Sequence, residues 1–216
     1  MVDVVRLSAD GVELAGLLAG VGRAGDRRLL GIAGPPGAGK STLARAVARL
    51  HGAAAAVVPM DGFHLADAVL DELGLRDRKG APETFDGWGY AALLGRLRER
   101  PDHTVYAPGF ARDLEQPLAG AVPVPEAVDL VVTEGNYLLL DEPPWRAVRE
   151  RLDAVWFVEV EDALRRERLT ARHEAFGKPP AAARSWVERV DEPNAVAVAA
   201  TRGRADLVLD LTTWGG

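Results

Sequence analysis

The chain has 216 residues, enough for one domain with a sizeable core, and its 48% hydrophobic and 27% charged residues are the balance of a globular protein. A net charge of −6 offers no overall basic field for nucleic acid, and the lack of cysteine excludes disulfides, thiolate metal sites and cysteine nucleophiles. Residues 1–10 lack the basic start and apolar block of a secretory signal, and no apolar stretch approaches the roughly 20 residues that span a bilayer, so a cytoplasmic protein is expected.

Residues 10–21 can form a short leading helix. Residues 28–33 read as a buried strand that runs into Gly34-Pro35-Pro36-Gly37-Ala38-Gly39-Lys40-Ser41, with Thr42 following. This matches G-x-x-x-x-G-K-[ST] without exception. Glycines let backbone N–H groups close around phosphate oxygens, and the helix that follows adds the positive end of its dipole. Lys40 supplies a mobile charge for the β- and γ-phosphates, and Ser41 offers a hydroxyl to Mg²⁺. The apolar positions Leu43, Ala46, Val47 and Leu50 then recur at helical spacing.

A second apolar run, 54–60, ends at Asp61. A fixed carboxylate there can accept the proton of an attacking hydroxyl, or it can be the start of an ordinary Asp-Gly turn. Phe63 and His64 line an acceptor pocket on the first view, and are core and cap on the second. Residues 90–100 read as a helix stopped by Pro101. Two segments without regular patterning flank it, 79–86 and 106–115. The later one holds Tyr106, Phe110 and Arg112, which either grip a substrate or pack as a surface loop.

The third strand, 128–133, ends at Glu134, an acid placed to handle Mg²⁺, with Asn136 and Tyr137 just beyond as substrate-binding candidates. A fourth strand covers 154–160. The charged helix after it, 161–174, carries Arg165, Arg168 and Arg172 on one face, as a lid over phosphates would, although Glu161 could equally pair with Arg165. Gly177-Lys178-Pro-Pro reads as the lid's turn, with Lys178 facing phosphate or solvent. Helices at 181–189 and 195–201 precede a fifth strand, 205–211. Buried strands alternating with helices imply a mainly parallel five-stranded sheet covered on both faces, a P-loop NTPase three-layer sandwich with a helical lid at about 161–185. Lys40, Asp61 and Glu134 all fall at carboxyl ends of strands, where such sheets bind ligands.

With these residues in place the sequence resembles the small-molecule kinases of the uridine kinase, phosphoribulokinase and type I pantothenate kinase superfamily, and most of all its bacterial nucleoside/nucleotide kinase-like, fructose-transport-associated branch. The carriers are GPPGAGKST, MDGFH, RKGAPETFD, YAPGFARDLEQP, VVTEGNYLLL, RRERLTARHEAFGKPP and RVDEPNAVAVAATRGRADLVL, from about Leu29 to Leu211. The resemblance implies a single domain over residues 1–216 that uses ATP and Mg²⁺, with Asp61 as base and Glu134 on the metal. It further implies Arg168 and Arg172 on phosphates, Asn194 and Arg202 near the nucleotide, and the YAPGF-x-R segment at the acceptor. It implies a small-molecule acceptor as partner and allows a homodimer. The pantothenate-pocket and uridine-reading segments are not recognisable, so the acceptor is not inherited.

The competing class is a regulatory or metal-delivery NTPase with no acceptor. The N-K-x-D guanine reader usual in such GTPases is absent; Glu134-Gly is a single acid where transporter ATPases usually carry an acid pair, and no L-S-G-G-Q-like segment is present.

Overall fold

A computed structural model describes residues 2–23 and 25–216; Met1, the first residue of the leading segment read above, lies outside the described residues. In chain order the elements are β1 (Val4–Arg6), α1 (Glu13–Ala19), β2 (Arg28–Ala33), α2 (Lys40–His51), β3 (Ala55–Pro59), α3 (Asp67–Leu73), α4 (Gly87–Arg98), β4 (Val105–Ala111) and β5 (Gln116–Val124). There follow β6 (Leu130–Gly135), α5 (Pro143–Arg149), β7 (Ala154–Glu159), α6 (Asp162–Ala175), α7 (Pro180–Trp186), α8 (Glu192–Ala199) and β8 (Leu207–Asp210).

Six strands form one parallel sheet in the order β1-β8-β7-β2-β6-β3. Alternation along β2 shows why the sheet must be covered twice. Leu29 and Ala33 face a core shared with Tyr90, Leu94 and Leu97 of α4 and Trp145 of α5. Leu30 and Ile32 face the other side, against Leu43 and Val47 of α2 and Leu14 and Leu18 of α1. Each of these fully buried aliphatic side chains contributes about 1.5–3 kcal/mol. The three-layer sandwich is therefore present, but the sheet has six strands rather than five. The extra strand, β1, is a three-residue edge strand that pairs with β8.

Two further differences from the sequence reading bear on function. The segment read as an unpatterned loop is an antiparallel hairpin, β4–β5, with a register shift between Ala107 and Gly109. The two late helices are one continuous helical run from 180 to 199, in which residues Val187–Asp191 form a π-helix. Pro193, which has no N–H to donate, stands two residues after that π segment. No helix among the described residues is long and apolar enough to cross a membrane.

Candidate active site

Residues 34–39 turn from β2 into α2. Gly37 has φ +81°, and a Cβ there would stand 2.9 Å from the Arg165 carbonyl and 2.8 Å from Leu169 Cγ of α6. Only glycine fits, and the close approach seats the phosphate loop against the root of the lid helix. Lys40 is buried, and its Nζ donates to the carbonyls of Gly34 (2.9 Å) and Pro35 (3.0 Å). Burial lowers its pKa to about 8, against the opposing pull of Glu134 and Asp61.

Beside it, Ser41 Oγ donates to Glu134 Oε1 at 2.9 Å. Glu134 is buried at the end of β6, and burial, then the charge of Asp61, pushes its pKa up. A buried carboxylate held against its preference, next to a hydroxyl, is a pair of hard oxygen donors suited to a cation such as Mg²⁺. Among the described residues no cluster of three or more His, Asp or Glu could hold an ion by itself.

Asp61 stands on a 3₁₀ turn, Met60–Phe63, immediately after β3. The hairpin packs directly on this turn: a Cβ on Gly62 would lie 2.5 Å from the Pro108 carbonyl. Arg112 at the hairpin's end thereby reaches Asp61, with Nη2 to Oδ2 at 2.9 Å. His64 Nδ1 lies 2.8 Å from the Asp61 carbonyl, as its donor if protonated there, and burial pushes its pKa down, favouring the neutral ring.

Two adjoining cavities meet at these groups. The first, about 800 Å³, runs along Gly37, Gly39, Thr42, Arg168, Leu211 and Trp214. The second, about 620 Å³, is lined by His64, Lys79, Asn136, Lys178, Trp186 and Asn194, among others. Lys40, Ser41, Asp61, Glu134, Arg112 and Arg172 belong to both. Pro36 and Phe110 also line cavity wall, whereas Ala38 is packed inside the loop. Phe110 has Lys79 Nζ and the Arg112 guanidinium each 5.7 Å from its ring centre and His64 at 4.9 Å.

Other expected site residues lie elsewhere. Arg165 is turned inward and 2% exposed; it pairs with Asp162 and Glu192 and secures α6 instead of lining either cavity. Tyr106 is 62% exposed and lines neither cavity, four residues before Phe110 along β4. Phe63 packs against Tyr90, with ring centres 4.8 Å apart. Tyr137 is buried and donates its hydroxyl to the Gly80 carbonyl, so both aromatics back the site from the core. Arg202 is held in a bidentate pair with Glu159 at 2.7 and 3.0 Å, outside both cavity walls. Asn194 lines the second cavity and not the first. Trp186, Trp214 and the His173–Asp191 pair were not anticipated; nothing local in the sequence marks them.

No family model matches the chain. It is 34% identical over 194 residues to the uncharacterized protein YggC of Escherichia coli K12, covering 88% of this chain and 80% of that one. It is 34% identical over 160 residues to a protein of Schizosaccharomyces pombe named "Putative uridine kinase", covering 70% and 68%. Among solved structures it is similar to a "putative fructose transport system kinase" from Silicibacter sp. TM1040, with 39% identity, 90% and 96% coverage and a TM-score of 0.81.

Proposed function

The chain belongs to the uridine kinase-like superfamily of P-loop kinases, and from that membership we propose that it moves the γ-phosphoryl group of ATP to a hydroxyl of a small molecule. The observation that carries this reading is the boundary between the two cavities, where a lysine, two carboxylates and two arginines meet within one wall. Phosphoryl transfer asks the protein mainly for position and charge, and these groups supply both.

In this reading the phosphates of ATP lie in the first cavity against the N–H groups of residues 34–39, with Lys40 on the β- and γ-phosphates. Ser41 and Glu134 would hold Mg²⁺, which when bound neutralises phosphate oxygens. The acceptor enters the second cavity. Its hydroxyl oxygen bonds to Pγ while the bond from Pγ to the bridging oxygen of ADP breaks, and Asp61 takes the hydroxyl proton. Arg112 holds the Asp61 carboxylate in place through their 2.9 Å ion pair until the acceptor arrives and then faces the same phosphoryl group. Arg168 and Arg172 approach from the lid, about 161–185. His64, Phe110, Asn136 and Asn194 contact the acceptor. Tyr106, Phe63, Tyr137 and Arg202 take no direct part. The chain acts as one domain in the cytoplasm, without nucleic acid or membrane.

The test is ADP release with ATP and Mg²⁺ across sugars, nucleosides, pantothenate and related alcohols. An acceptor that lifts turnover far above background, with a phosphorylated product by mass, is the expected result. ATP hydrolysis indifferent to every acceptor would favour an acceptor-free NTPase instead.

A further inference from the structure

The charged groups around the second cavity are mostly paired within the protein. Arg76 and Lys79 are bound to Asp67, and Arg112 to Asp61. The carboxylates Glu134 and Asp191 are engaged by Ser41 and by His173, the latter at 2.8 Å. Asp77 and Glu115 line the cavity from exposed positions, without a side-chain partner among the described residues. Two half-buried cations, Arg172 and Lys178, have no carboxylate within ion-pair distance among the described residues, although Asp191 and Asp61 act on Arg172 from further off. Burial, then the like charge of Arg112, disfavours the Arg172 cation. Under the proposed reaction Arg172 stands with Arg112 at the transferring phosphoryl group. Lys178 has no such task.

Lys178 is also held in place. Gly177 before it has φ +91°, Pro179 follows it, and its own N–H donates to the His173 carbonyl at 3.0 Å. Its Nζ sits 4.7 Å from the centre of the Trp186 ring, with Phe176 on the same wall. A half-buried ammonium on a stiff turn, capped by a ring on one side and open to a cavity on the other, is missing an anion on the open side.

We propose that the acceptor carries an anionic group, a carboxylate or a phosphate, which binds Lys178 while the reacting hydroxyl sits at Asp61. A neutral sugar or nucleoside would desolvate this lysine without pairing it. The inference rests on the phosphotransfer reading above and narrows its acceptor.

The test uses matched pairs of acceptors in the ADP-release assay: small hydroxy acids against their primary amides, and hydroxyalkyl phosphates against the parent diols. The anionic member of at least one pair should be turned over far faster than its neutral twin, and whether acids or phosphates respond identifies the group. Replacing a charge-assisted contact should then raise the KM of that acceptor roughly tenfold to a hundredfold in Lys178→Met. The change should fall on KM far more than on kcat, spare the KM for ATP, and be largely restored in Lys178→Arg. Neutral members used as well as their anionic twins, or an acceptor KM unmoved in Lys178→Met, would overturn the anion site and leave the kinase reading standing. No turnover with any pair, by protein that phosphorylates a neutral sugar or nucleoside of the wider panel, would likewise overturn the anion site and leave the kinase reading standing.

Discussion

The phosphate side of the cleft and the acceptor side are made of different material. On the proposed phosphate side the ligand would meet residues 34–39, a helix start, and a lysine already bonded to two loop carbonyls. These parts come from one contiguous stretch of chain. On the acceptor side the wall is side chains from a 3₁₀ turn, a hairpin, the end of β6 and the lid, brought together across more than a hundred residues. A phosphate is the same in every such enzyme, so one short motif can serve it, whereas an acceptor must be met by whatever groups match its own shape and charge.

Removing a carboxylate at the boundary shared by the two cavities is the hardest test of that contrast. Asp61→Asn should leave ATP binding intact and lower transfer by about 10²–10⁴, as loss of a general base does; transfer at the wild-type rate would remove Asp61 as base. Lys40→Ala removes the lysine proposed to meet the phosphates of ATP. It should lower kcat by about 10²–10³ with every acceptor alike, and an effect confined to one acceptor would break the division between the sides.

Proton linkage offers a gentler probe. Lys40 titrates near 8 in the ligand-free protein against an ordinary 10.5. Between those values the unfolded chain binds more protons than the native one, so this group adds stability as pH rises through the window. Bound phosphates reverse the bias by favouring the cation. Nucleotide binding at about pH 9 should therefore take up most of one proton, and affinity should fall by up to about tenfold per pH unit above 8. Calorimetry in buffers of different ionisation heat reads the uptake directly, and an equal uptake by Lys40→Met would assign it elsewhere. The smallest effect belongs to Arg202→Ala. Its pair with Glu159 is partly exposed, so stability should drop by no more than about 1 kcal/mol, with the KM for ATP unchanged. A large rise in that KM would return Arg202 to the nucleotide site.

The same contrast explains what could be read in advance. The strands β2, β3, β6, β7 and β8 are continuous apolar runs, and the motif between β2 and α2 is local, so both were legible. β1 is three residues long and mostly exposed, too short for periodicity to register. The hairpin was hidden by Pro108, Gly109, Pro117, Gly120 and Pro123, which read as loop punctuation. Arg165 shared a helical face with Arg168 and Arg172 by spacing, yet Glu192, 27 residues on, turns it inward. Asp61 and Glu134 stood out as acids ending strands, but the pairing of Asp61 with Arg112 spans 51 residues and has no local signal.

The seat of Gly37 against α6 makes that helix a lever with its fulcrum at the phosphate loop. Any tilt grows with distance from the fulcrum, by roughly 1.5 Å of arm for each residue along the axis. Arg168 therefore travels least, Arg172 further, and the turn carrying Lys178 furthest of all. A mechanical gradient of this kind would let substitutions at the tip re-aim the proposed acceptor side with little disturbance at the fulcrum.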